Sequence, residues 1–176
     1  SKPMHLIGYS YGGLLIQHLL NDRYDNLSSV ILVACANRLT PRDKEILSVL
    51  KSLAEKDLYL FCRALTLFSH KPAEVNGNPL MGLQKFSNMK LSVSGNAPIL
   101  QQINHILQVS QIHIPGQPTK ALLVYGDEDR LIDLDTVDQF HSCFENLRLV
   151  KLEGESHIVD HDKLFYHITE FLKLQS

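Results

Sequence analysis

A serine set among glycines, Gly8-Tyr9-Ser10-Tyr11-Gly12-Gly13, is where residue types and spacing first carry chemistry in this sequence. In a G-x-S-x-G segment the chain turns sharply at the serine, and the strained turn pushes its hydroxyl out from between a strand and a helix. Strand and helix then pass close together, and Gly8, Gly12 and Gly13 leave room for them. The turn also sets Ser10 at a helix start. There the positive end of the macrodipole and the Tyr11 backbone N–H face any oxyanion that develops on a substrate. A serine hydroxyl alone is a poor nucleophile; it needs a base to take its proton and an acid to hold the base. Two later segments offer both. Gly126-Asp127-Glu128-Asp129 supplies an acid, either Asp127 or Asp129, and Gly154-Glu155-Ser156-His157 supplies His157 as general base. The chemistry these three groups would do is acyl transfer.

The surrounding pattern must position them. The apolar run from Met4 to Ile7, broken by His5, ends at Gly8 and gives way to Leu14, Leu15, His18 and Leu19 at helical spacing, which reads as strand, turn, helix. The run Ser29 to Cys35 is too continuous for a half-exposed strand and suits one buried on both faces of a parallel sheet. Ala121 to Tyr125 is a third strand, and Leu147 to Leu152, which alternates more, a fourth. Asp133 or Asp135 caps an expected helix through Val137, Phe140 and Phe144, while Leu164, Phe165, Ile168, Phe171 and Leu172 mark a final amphipathic helix. Strands alternating with helices predict an α/β, doubly wound parallel sheet. The stretch from Arg38 to about Pro118 breaks this rhythm. Thr40-Pro41 starts a helix, and Ile46, Leu47, Leu50, Leu53, Leu58, Phe61, Leu65 and Phe68 follow at helical spacing. Asn76-Gly77-Asn78-Pro79 and Gly95-Asn96-Ala97-Pro98 interrupt before Ile99, Ile103, Ile106 and Leu107 resume.

With serine, acid and histidine in this order, the last two after parallel strands, the sequence from Met4 to its final helix resembles the α/β-hydrolase family, serine esterase type. The resemblance implies the acid three residues after the glycine that ends its strand, hence Asp129, with His157 as base. It also implies residues 38–118 as a helical lid inserted between core parts 1–37 and 119–176. Family members carry several strands and a helix before the serine, including the loop that donates a second oxyanion N–H, whereas here nine residues precede Ser10. The chain is therefore expected to be the C-terminal half of such an enzyme, a partial sheet of about four strands completed by a missing N-terminal half or a second copy. The implied activity is hydrolysis of a carboxylic ester or thioester, on a small molecule or an acyl carrier, through an acyl-enzyme on Ser10. No cofactor is implied. A lyase or other non-hydrolytic enzyme on the same elbow, or a non-catalytic partner fragment, are the alternatives.

The chain has 176 residues, 44% hydrophobic and 20% charged, a composition that suits one ordinary globular core. Its formal charge of −2, without a block of like charge, argues against nucleic-acid or anionic-membrane partners. Cys35, Cys62 and Cys143 are scattered, lack metal-ligand spacing and read as reduced thiols, in keeping with a cytoplasmic protein. No run of about 18 apolar residues suggests a membrane span. Among nine histidines, which include His113, only His157 and His161 fall at i, i+4, and the metal-site glutamate between such a pair is lacking, so no metal is expected. Tyr9 and Tyr11 flank the serine and are expected to line the pocket, Tyr9 as a substrate-binding residue. Leu58, Phe61, Leu65 and Phe68 form a stripe expected to pack the lid onto the core. Asp133, Asp135 and Asp160 read as helix starts.

Overall fold

A computed structural model of the chain describes residues 2–22, 24–84, 87, 96–109, 112, 114 and 116–174. Gly95 and His113 lie outside the described residues. Four strands, β1 (Met4–Tyr9), β2 (Leu27–Val33), β3 (Gln117–Gly126) and β4 (Phe144–Leu152), pair in parallel in the order β1-β2-β3-β4. The register sets Tyr9 beside Val33, Val33 beside Val124 and Val124 beside Val150, so the strands end together along one rim. That rim is where α/β sites assemble.

The continuous apolar runs become the two central strands because both of their faces are covered. On one face Val30, Leu32, Ala121 and Leu123 pack with Leu14, Ile16 and Leu20, from α1 (Tyr11–Leu19) and just beyond it. On the other, Ile31, Val33, Leu122 and Val124 pack with Phe171 of the C-terminal helix His161–Lys173. Successive residues of a strand point to opposite faces, which is why odd and even positions divide between the two clusters. Among the described residues, β1 pairs only with β2, and its Ile7 is 54% exposed.

The segment after β3 differs from expectation. Instead of an α-helix running to Phe144, residues Leu134–Ser142 form a 3₁₀ helix, and Phe144 opens β4. The Asp133 carboxylate caps it by accepting from Asp135 N at 3.2 Å. Apolar residues recur here every third position, at Leu134, Val137, Phe140 and Cys143, and all four join one core cluster. A helix with three residues per turn stacks those positions on one side.

Between β2 and β3 lie α2 (Pro41–Lys56), α3 (Leu58–Ser69), α4 (Pro72–Gly77) and α5 (Ala97–Gln108); the C-terminal helix His161–Lys173 is α6. Thr40 and Asp43 close a reciprocal cap on α2: Asp43 N donates to Thr40 Oγ1 at 3.2 Å and Thr40 N donates to Asp43 Oδ2 at 3.0 Å. Asp57 caps α3 by accepting from Tyr59 N and Leu60 N. Leu50, Ala54, Phe61, Cys62 and Ile103 form a separate apolar cluster, with Leu58, Leu65, Phe68 and Leu131 packed against it. The Leu58–Phe68 stripe thus packs chiefly among helices α2, α3 and α5, because each of these amphipathic helices buries its apolar face against the others; Leu131, just after β3, links that cluster to the sheet. Among the described residues no helix is long and apolar enough to cross a membrane.

Candidate active site

Ser10 sits between β1 and α1 with φ 50° and ψ −115°, a left-handed conformation rare outside glycine. Its N–H donates to Val33 O at 2.7 Å, and its carbonyl accepts from Gly13 N at 2.9 Å, so the turn is held from both sides. A Cβ at Gly8 would overlap the Gly12 carbonyl and Gly13 N, and one at Gly13 would overlap the Cys35 Sγ. At Gly12, among the described residues, a Cβ would meet nothing within 4 Å. The expectation that all three glycines make room is therefore corrected among the described residues: Gly8 makes room for the helix against the strand, Gly13 makes room for Cys35 just after β2, and Gly12 is not crowded. Tyr11 is the first residue of α1, so its N–H has no acceptor within the helix.

The loop after β3 brings Asp129, not Asp127, to the histidine. Asp129 Oδ2 lies 2.8 Å from His157 Nδ1, and its other oxygen accepts from Leu131 N at 2.8 Å and Ile132 N at 3.1 Å. Asp127 instead accepts from Gly154 N at 2.7 Å, tying the two loops together. His157 Nε2 lies 2.9 Å from Ser10 Oγ. Asp129 and His157 are 7% and 5% exposed, which keeps the pair out of bulk water. With the proton on Nδ1 and donated to Asp129, Nε2 is free to accept from the Ser10 hydroxyl.

Tyr9 does not take the place expected of it. Its hydroxyl donates to His157 O at 2.6 Å and accepts from Val159 N at 3.0 Å, and the ring packs with the cluster on the α6 face of the sheet. The end of a strand presents its side chains to alternate faces, and position 9 falls on the side away from the cavity. Tyr9 is a brace behind the histidine loop, not a pocket residue, and burial raises its hydroxyl pKa above the ordinary value.

Tyr11 does face a cavity of about 280 Å³ that opens on Ser10 and His157. Its walls are largely apolar, with Leu14, Leu50, Phe61, Leu65, Ile103 and Leu131 contributing from the core, the inserted helices and the loop after β3. Gln102 is the polar exception on α5. Cys35 also reaches this cavity, but burial pushes its thiol up to about 12, so it stays protonated and does not compete as a nucleophile. The Tyr11 hydroxyl is paired with His105 Nδ1 at 2.8 Å.

No family model matches the sequence, and no curated protein matches it either. Solved structures do. A 2-hydroxy-6-oxo-6-phenylhexa-2,4-dienoate hydrolase from a Rhodococcus species is 17% identical with a TM-score of 0.76, over 98% of this chain and 64% of that one. An esterase from Exiguobacterium antarcticum is 18% identical with a TM-score of 0.75, over 99% and 67%. An α/β-hydrolase enzyme from a Medee basin deep-sea metagenome library is 16% identical with a TM-score of 0.73, over 98% and 63%. The chain has the α/β-hydrolase fold. It spans about two thirds of the length of the solved structures it matches.

Within this α/β-hydrolase fold one group escaped the reading of the sequence. Glu155, two positions before the histidine, is buried, and its carboxylate accepts from Lys163 Nζ at 2.6 Å, Lys71 Nζ at 2.7 Å and Asp160 N at 3.1 Å. Burial alone would raise its pKa, but the hydrogen bonds from Lys163, Lys71 and the backbone outweigh that and lower it. A glutamate between a glycine and a serine carries no sign that it will be buried, since one of its cations lies on a distant helical segment.

Proposed function

We propose that the protein is a serine hydrolase that cleaves a carboxylic ester or thioester through an acyl-enzyme on Ser10. The observation that carries this reading is the continuous relay from Asp129 Oδ2 to His157 Nδ1 at 2.8 Å and from His157 Nε2 to Ser10 Oγ at 2.9 Å. In the first half-reaction His157 takes the hydroxyl proton as Ser10 Oγ bonds to the carbonyl carbon, while Asp129 steadies the imidazolium. The Tyr11 N–H faces the oxygen that gains the electron pair. Collapse of the tetrahedral intermediate breaks the bond to the leaving alcohol or thiol, which departs with the proton from His157. Water then attacks the acyl-enzyme by the same route in reverse and releases the acid. None of these steps requires a cofactor.

The apolar cavity beside Ser10 favours an apolar acyl group, on a small molecule or an acyl carrier. Residues 38–118, whose helices supply much of its wall, act in this reading as a lid over the core formed by 1–37 and 119–176. Incubating the full-length protein with a fluorophosphonate probe tests the reading. Covalent modification at Ser10, lost in Ser10→Ala, is the expected result. An unmodified Ser10 in folded protein would end the claim. Release of a free acid from the ester separates hydrolysis from lyase chemistry on the same elbow.

A further inference from the structure

His157 stands in the loop that joins β4 to α6, and loops of this kind move unless something pins them. Here the pins come from three directions: from β1, the Tyr9 hydroxyl donates to His157 O at 2.6 Å and accepts from Val159 N at 3.0 Å. Glu128 N donates to Glu155 O at 2.8 Å, tying the base loop to the acid loop. Lys163 of α6 is no pin of that loop but balances the charge of the Glu155 carboxylate from the core side. The third set comes from the junction of α3 and α4 in the inserted helices. There Lys71 Nζ pairs with Glu155 Oε2 at 2.7 Å, and the Ser69 carbonyl accepts from Ser156 Oγ at 3.0 Å and Ile158 N at 2.9 Å. These last two donors flank the histidine on either side. The Glu155 side chain is 2% exposed, so its charge is tolerated only while its cations stay in place.

We propose that Glu155 is a positioning residue and that, with Lys71, it forms a clamp through which the inserted helices hold His157 in register with Ser10. The proposal rests on the reading of Ser10, His157 and Asp129 as the catalytic groups. Its physical content is that residues 69–71 and 155–158 move as one body. Displacing the helices on that side drags the base from the nucleophile, and seating them restores it. Catalysis is thereby coupled to closure over the cavity without any contact between Lys71 and substrate.

Two lysines grip the same carboxylate, one from the inserted helices and one from a core helix, so they separate positioning from charge balance. In the full-length protein hydrolysing p-nitrophenyl butyrate, Lys71→Met is expected to lower kcat about 10- to 100-fold, since misplacing a catalytic group by roughly 1 Å costs on that order. KM should hold within about twofold, because the cavity wall is untouched. Lys71→Arg should recover most of the rate. Lys163→Met should lower the melting temperature to a similar degree while leaving kcat within about threefold of the parent. Where Lys71→Met folds poorly, the pair Glu155→Gln with Lys71→Met removes the stranded buried charge, and it should be stable yet still slow. Equal kcat losses in Lys71→Met and Lys163→Met, or full turnover in Lys71→Met, overturn the clamp. Fluorophosphonate labelling of the parent keeps the two readings apart: an unlabelled parent sinks the triad, whereas a labelled parent with an unaffected Lys71→Met sinks the clamp alone.

Discussion

Ser10 spends backbone strain to present its hydroxyl, on the order of 1–3 kcal/mol for a non-glycine residue at positive φ, and Val33 O and Gly13 N hold it there. Asp129 meets His157 through one oxygen and two backbone donors through the other, so Asp129→Asn should keep the fold yet misdirect the imidazole proton. A loss of about 10⁴-fold in kcat is expected, read from steady-state hydrolysis. Tyr9→Phe removes a hydroxyl that serves both His157 O and Val159 N, and leaving those groups unpaired should cost about 1–3 kcal/mol in urea unfolding. Glu155 adds a pH dependence. Its folded pKa lies below the ordinary value of 4.5, so its contribution to stability is fully present above that pH and is lost as pH falls through the lower, folded value. Urea midpoints of the parent should therefore drop more steeply below pH 4.5 than those of Glu155→Gln.

At the scale of elements, the site depends on two loops that leave neighbouring strands and lean on each other. A Cβ at Gly126 would overlap the Glu155 carbonyl, so the acid and base loops approach as closely as a glycine allows. Gly126→Ala should part them, lowering the melting temperature by several degrees and slowing acylation of Ser10 together, measured by thermal unfolding and by fluorophosphonate labelling rate. The 3₁₀ helix that links β3 to β4 shows why its type was hard to read. The spacing of Val137, Phe140 and Phe144 fits an α-helix as well as the threefold spacing of Leu134, Val137, Phe140 and Cys143 fits the tighter one. Which set is buried depends on the sheet surface beneath, a partner far away in sequence.

Across the whole molecule, β1 forms one edge of the sheet among the described residues, with Ile7 54% exposed. An exposed apolar edge strand pairs readily with other chains. The 176-residue chain should therefore self-associate, and Ile7→Lys should shift it toward monomer in analytical ultracentrifugation. Four strands, their order in the chain, the turn at Ser10 and the segments that bring Asp129 and His157 together were all legible in the sequence, because hydrophobic periodicity and glycine placement are local signals. Contacts made at a distance were not. Spacing alone left Asp127 and Asp129 both open for His157, and the resemblance implied Asp129; the face to which Tyr9 turns and the burial of Glu155 beneath Lys71 each depend on where two remote segments land in space. Spacing along the chain determined which residue types could meet at the rim; only the packed sheet and helices decided which of them do, since side-chain direction and desolvation are properties of the assembled surface.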